Sequence, residues 1–414
     1  MKKHVNITFL VLFFCIYSFK AQIKNTNNIK GNTKLNVNYK DFIIKENKIY
    51  SITENDSLIV WNVINIKIEI IIPNIRFIVK NKENKIFLIN KNGEIQSFEN
   101  DKKLKIIEKI ETPIYSFLID KENNFIVCTK KGIYYKKTYS IPTENDSLGN
   151  YCCIYNRSNF DKDSDGKPFV MYRASYRFLD SSNRMWLHCN NGEFGTSTYF
   201  FDLKNRTFKE DEYLSVGSYD LNEKDINEYY KLFKLKYPNK IKITEKDTLY
   251  KFPYQLPIYN GIKGIAEDES GNICISQSLQ HFSLDGNITC ISQNDSEGFY
   301  KSDIKMNNIL DRKKDKSLDI LLEYVGPITY NKFDKSFYYY SSSGFYKIIK
   351  NEDNNYSKKL IIKPNLSWEA GLAMSVGYQM NIIKFEFINK NEFIFLTANN
   401  GIGFFNGSII RYFK

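Results

Sequence analysis

The segment Asp161-Lys-Asp163-Ser-Asp165-Gly166 sets three carboxylates at alternate positions and closes on a glycine. Alternating carboxylates gather oxygens around one hard cation, and the glycine permits the bend, as in the first half of an EF-hand loop. The twelfth position, where such a loop carries a bidentate acid, is Tyr172, and the ninth is Phe169. Two readings are open: a weak structural calcium site on Asp161, Asp163 and Asp165, or a polar turn whose Asp side chains bond their own backbone. Around this loop Arg157, Arg173, Arg177 and Arg184 make up half of the eight arginines. A guanidinium fork matches carboxylate or phosphate, and Tyr172 and Tyr176 beside it offer stacking faces for sugar or peptide. The competing reading pairs these arginines with Asp161, Asp163, Asp165 and Asp180.

His188 and His281 are the two histidines beyond the first twenty residues. His188 holds the place in its repeat that Cys128 and Ser276 hold in theirs, which suits an interior filler as well as a contact beside the arginines. The candidate ligand-binding set is therefore Arg157, Arg173, Tyr176, Arg177, Arg184 and His188. No His-Glu-x-x-His, Gly-x-Ser-x-Gly or phosphate loop occurs, so no residue is assigned a catalytic role.

The elements that must hold these residues repeat. Asp120-Lys-Glu-Asn-Asn-Phe-Ile-Val-Cys-Thr129, Asp180-Ser-Ser-Asn-Arg-Met-Trp-Leu-His-Cys189 and Asp268-Glu-Ser-Gly-Asn-Ile-Cys-Ile-Ser-Gln277 each run a polar turn into a short apolar strand. Fainter copies pass through Asn47, Asn84, Lys335 and Asn391. The last repeat predicts strands at Ile382 to Ile388, Phe393 to Thr397, Ile402 to Phe405 and Ser408 to Tyr412, parted by Asn and Gly turns that tolerate positive φ. A four-stranded meander is one blade of a β-propeller. The seven turn markers predict an all-β ring of about seven blades, with six or eight as alternatives. It spans 41–414 after a leader at 22–40. Its insertions lie near 151–174, 216–260 and 298–326, and Asp225 to Lys236 in the second has helical spacing. The first blade begins on its innermost strand and the last ends on its outermost. Closure is therefore expected by face packing, without exchange of a strand between the termini.

The repeat resembles that of the periplasmic sensor propellers of bacterial two-component regulators. That pattern runs Asp-x-x-Gly-Asn-apolar-Trp-apolar-Gly-Thr, which Asp268 to Gln277 follows in its first half. Trp186 and Thr129 preserve other parts in their own copies. What the resemblance implies is an extracytoplasmic ring that binds a ligand or a partner.

Met1-Lys2-Lys3, the apolar run Val5 to Phe19 and Ala21 have the form of a cleavable secretory signal peptide at 1–21. The run is shorter than the roughly 20 residues that span a bilayer. No later segment has the length and apolarity of a transmembrane span, so the mature chain is expected to be periplasmic or secreted. The formal net charge of +12 comes mostly from scattered Lys interleaved with Asp and Glu, which favours a solvated surface over nucleic-acid binding. Of seven cysteines, Cys128, Cys152, Cys153, Cys189, Cys274 and Cys290 remain after cleavage, allowing zero to two disulfides of unassigned pairing. The reading is an exported, non-enzymatic propeller that binds a protein, glycan or peptide, with sensor-like character. The alternative is a propeller lyase or hydrolase acting on extracellular polysaccharide or peptide.

Overall fold

Short runs of Ile, Phe, Tyr and Val, cut by Asn, Gly and Asp, favour narrow antiparallel sheets. Branched and aromatic side chains suit the pleat, and the polar residues hold tight turns. The computed structural model describes residues 38–99, 103–141, 174–190, 196–210, 261–280, 284–291, 325–341, 343–350, 356–364, 382–398 and 400–413. Within them the strands form seven antiparallel sheets in chain order, here blades 1 to 7. Blades 1, 2, 3, 4, 6 and 7 have four strands, spanning 39–73, 75–109, 114–140, 174–210, 325–362 and 382–413. Blade 5, at 261–291, has three among the described residues. The helical spacing at 225–236 lies outside the described residues.

The turns follow from side-chain chemistry. The Asp120, Asp180 and Asp268 carboxylates each accept backbone N–H bonds from two and four residues on, at 2.8 to 3.0 Å. The residue three after each Asp then takes positive φ: Asn123 (68°), Asn183 (63°) and Gly271 (81°). Asn84 (61°) and Lys335 (53°) do the same in blades 2 and 6. Blade 1 departs from this, because Glu46 rather than Asn47 carries the positive φ in a two-residue hairpin. At the far end of the second strands, Thr129 and Thr397 donate to the carbonyls of Gly132 and Gly401, tying down the next turn.

Each blade is apolar on both faces, so its stability comes from its neighbours. One buried cluster fills every junction. Ile43 and Leu58 meet Ile78 and Leu88 between blades 1 and 2, and Phe87 and Ile95 meet Phe117 and Val127 between 2 and 3. Cys128 and Tyr135 meet Leu187 and Phe201, Trp186 meets Ile265 and Ile275, and Cys274 and Ile288 meet Val325 and Tyr339. Tyr340 and Phe345 meet Phe385 and Phe395 between blades 6 and 7. The seventh cluster closes the circle: Leu396, Phe404 and Phe413 of blade 7 pack on Phe42, Ile44 and Trp61 of blade 1. Trp61 and Phe413 meet edge to face at 5.5 Å.

The chain is thus a β-propeller whose seam is closed by packed faces, as the repeat predicts. Tyr39 pairs with Thr53 inside blade 1, and the outer strand of blade 7 is its own Ile410–Phe413. The strands opening blades 4 and 6 begin at Ala174 and Val325, both within the stretches that sequence assigned to insertions. Cys274 and Cys290, opposite each other in blade 5, form a disulfide, a pairing the sequence left unassigned. Cys128 and Cys189 are both buried, and burial pushes the Cys128 thiol above its ordinary value.

Candidate functional site

The first strands are Tyr39–Lys45, Ile75–Lys80, Ile114–Ile119, Ala174–Leu179, Gly261–Glu267, Val325–Asn331 and Ile382–Phe387. They line the axis, where those of blades 1, 2 and 3 touch in succession, as do those of blades 4, 5, 6 and 7. In a four-stranded meander the last strand ends on the face where the first begins. The strand ends bracketing 142–173, 211–260 and 365–381 therefore all open on one face of the ring.

Near that face every first strand is interrupted at the same level. The ladder skips Lys40, Arg76, Tyr115, Ser175, Lys263 and Ile383, one per blade, and Gly326 with Pro327 in blade 6. A bulge bends the strand and re-aims the extra side chain, and it accepts the Gly and Pro that a continuous ladder excludes. The period-2 reading of the sequence does not reveal it, because a single extra residue only blurs the alternation.

The predicted site residues divide. Arg157, Arg173, Asp161, Asp163 and Asp165 lie outside the described residues. Tyr176, Arg177, Arg184 and His188 all fall in blade 4, on its first two strands, with Tyr176 directly opposite His188. Tyr176 is half-buried, and its hydroxyl oxygen accepts the Ile265 N–H of blade 5 at 3.1 Å. Burial raises its phenol, and Lys384 and Asp41 act on it from blades 7 and 1, which places it toward the axis. Arg177 turns to the other side, against the Cys128 thiol of blade 3.

Arg184 and His188 are interior. Asp180, with no exposed side-chain surface, accepts from Arg184 Nε at 3.0 Å and from Trp186 Nε1 at 2.9 Å. His188 pairs in the ladder as Cys128 and Ser276 do, and it is fully buried. Its Nε2 accepts the Ile262 N–H at 3.1 Å, so the proton sits on Nδ1, which meets Thr198 Oγ1 at 2.9 Å. Burial, then the charge of Lys263, lowers this imidazole to about 3. A ring held neutral and bonded at both nitrogens fastens blade 4 to blade 5.

The axis also collects charge that sequence reading did not single out. Lys384 Nζ of blade 7 reaches Asp41 Oδ1 at 3.1 Å, the Phe42 carbonyl at 2.8 Å and Glu386 Oε1 at 2.9 Å. Its side chain keeps 35% exposure, so this network reaches solvent. Burial works to lower the ammonium, and the Asp41 and Glu386 carboxylates overcome it, holding it above its ordinary value. The signal was present in Lys384-Phe385-Glu386-Phe387, where charge alternates with aromatic residues on an otherwise apolar first strand. Among the described residues no group of three His, Cys, Asp or Glu side chains has the geometry of a metal site.

No family model matches the sequence, and no curated protein matches it. Solved structures share its fold. It is similar to the extracellular domain of a hybrid two-component system from B. thetaiotaomicron, at 14% identity and a TM-score of 0.48, over 92% of this chain and 40% of that one. The chain thus spans about two fifths of that structure. It is also similar to virginiamycin B lyase from Staphylococcus aureus, at 9% identity and a TM-score of 0.44, over 91% of this chain and 97% of that one. The propeller domain of the Trilobed protease from Pyrococcus furiosus matches at 10% identity and a TM-score of 0.44, over 91% and 98% of the two chains. These likenesses concern the fold alone.

Proposed function

We propose that this propeller is an exported binding module that receives a protein, glycan or peptide, in the manner of a sensor domain, on the face where its first strands begin. One observation carries the reading: the strand ends on either side of 142–173, 211–260 and 365–381 open together on that face. Long connections on a rigid scaffold are where recognition usually resides. Arg157 and Arg173 belong to the first of these segments, and Tyr176 stands just inside the ring beside it. Arg177 and His188 back that wall from within the blades, while Arg184 sits at the other end of blade 4, beside the Asp180 turn. A His188 ring near 3 and sealed from solvent is poorly suited to acid–base catalysis at neutral pH, which favours binding over a lyase or hydrolase. The Cys274–Cys290 disulfide fits an oxidising compartment. Removal of 1–21 on export is part of the proposal, as is a calcium ion on Asp161, Asp163 and Asp165.

Thermal shift of the purified mature chain against a glycan and peptide panel, with and without calcium, tests it. A ligand that raises the midpoint in wild type and loses that effect in Arg173→Ala or Tyr176→Ala supports the assigned face. A ligand indifferent to both substitutions refutes it. For the cation, the outcome that counts is a calcium-induced shift abolished by Asp163→Ala, and no shift in wild type retires the metal.

A further inference from the structure

Blades 2 and 3 part on this same face to leave a cavity of about 410 Å³. Its apolar lining is Phe77 and Pro113, backed by the buried Ile89, Ile110 and Ile114. Its rim is polar. Arg76, the bulged residue of blade 2, and Lys91, in the following turn, stand on one side, with Glu111 and Thr112 opposite. The Lys91 turn is preformed, because Asn90 Oδ1 accepts the N–H groups of Asn92 and Glu94, both at 3.0 Å. Gly93 completes the turn at φ 78°, where an added Cβ would fall 2.2 Å from the Ile110 carbonyl oxygen.

The charges at the Arg76 end do not cancel. Asp56 is shared by three cations: Lys40, bonded to Oδ1, Lys91 Nζ at 3.6 Å from Oδ2, and Arg76 Nε at 4.0 Å from Oδ2. One carboxylate among three cations leaves two positive charges over. Burial would raise the Asp56 carboxyl, and the cations outweigh it and hold it below its ordinary value, so it stays ionised and keeps them in place. The Arg76 guanidinium also lies 5.4 Å from the centre of the Phe77 ring, which helps hold it at the cavity edge.

We propose that this cavity is a binding site for a small organic anion with an apolar ring, the ring against Phe77 and Pro113 and the carboxylate at Arg76 and Lys91. A few charged groups around an apolar hollow of this size are what such ligands require. The site lies in blades 2 and 3, apart from the blade 4 residues invoked above, and its test stands separately.

The probe is phenylacetate, titrated into the mature chain by calorimetry, with phenylacetamide as its uncharged counterpart. Expected are saturable binding in the millimolar range and a loss of about tenfold or more with phenylacetamide, with Arg76→Gln and with Lys91→Met. Thr112→Trp, which keeps both cations and blocks the opening, is expected to abolish binding while leaving the thermal midpoint close to wild type. Equal affinity for acid and amide would overturn the proposal. So would no saturation with phenylacetate, or binding unchanged in the Arg76 and Thr112 variants.

Discussion

To protonate His188, the ring must give up the Ile262 N–H bond at Nε2 and hold a cation with no exposed surface. Its value of about 3 in the fold lies below the roughly 6.5 of an unfolded histidine. The unfolded chain therefore takes the proton first. The stabilisation is complete above about pH 6.5 and is lost as pH falls toward 3, at about 1.4 kcal/mol per unit. Denaturation midpoints at about pH 7.5 and about pH 5 should separate in wild type and draw together in His188→Gln. Asp180 is the second residue with leverage. Asp180→Ala removes the buried acceptor of both Arg184 Nε and Trp186 Nε1 and should cost about 3–5 kcal/mol in unfolding free energy. Glu83→Ala, in the exposed pair with Lys85, should leave the midpoint where it is. Asp180 was legible in sequence as a turn former, because its bonds to Ser182 and Arg184 run within five residues. That it also accepts from Trp186 was not, since this depends on which way a strand residue faces across the blade.

Among the elements, the third strand of blade 7 shows how closely the sheets are fitted. Gly403 lies directly opposite Phe395, and a Cβ there would come within 2.0 to 2.5 Å of three carbons of that ring. Gly403→Ala should lose about 1–3 kcal/mol or more through overpacking, and adding Phe395→Leu should restore part of it in a double-mutant cycle by thermal melt. Gly407→Ala is the control: its Cβ would have room, at 3.8 Å, and would meet only the strain of φ 88°. Strand positions were largely readable, and the last repeat matches at Phe393–Thr397 and Ile402–Phe405. Alternation and turn residues are local properties. The bulges were not readable, nor was the bond between Cys274 and Cys290, because each depends on the register of one strand against another.

For the whole ring, the decisive place is the seam between blades 7 and 1. Its apolar cluster is reinforced by the Lys384 bridge to Asp41 and the Phe42 carbonyl, partners more than 340 residues apart in sequence. That separation explains why a legible blade count did not disclose the contact. Lys384→Met should loosen this junction alone. Hydrogen exchange should quicken in Tyr39–Lys45 and Ile382–Phe387 and stay as in wild type across Ala174–Leu179; uniform acceleration around the ring would contradict a local role. The bulges carry a different consequence. At Lys40, Arg76, Ser175, Lys263 and Ile383 the extra residue answers neither to cross-strand pairing nor to the oily seams, so its identity can drift at small penalty to the scaffold. Repeated in five blades around one opening, such positions form an interchangeable collar. A lineage could redirect what the ring greets by editing the collar while inheriting the wheel intact.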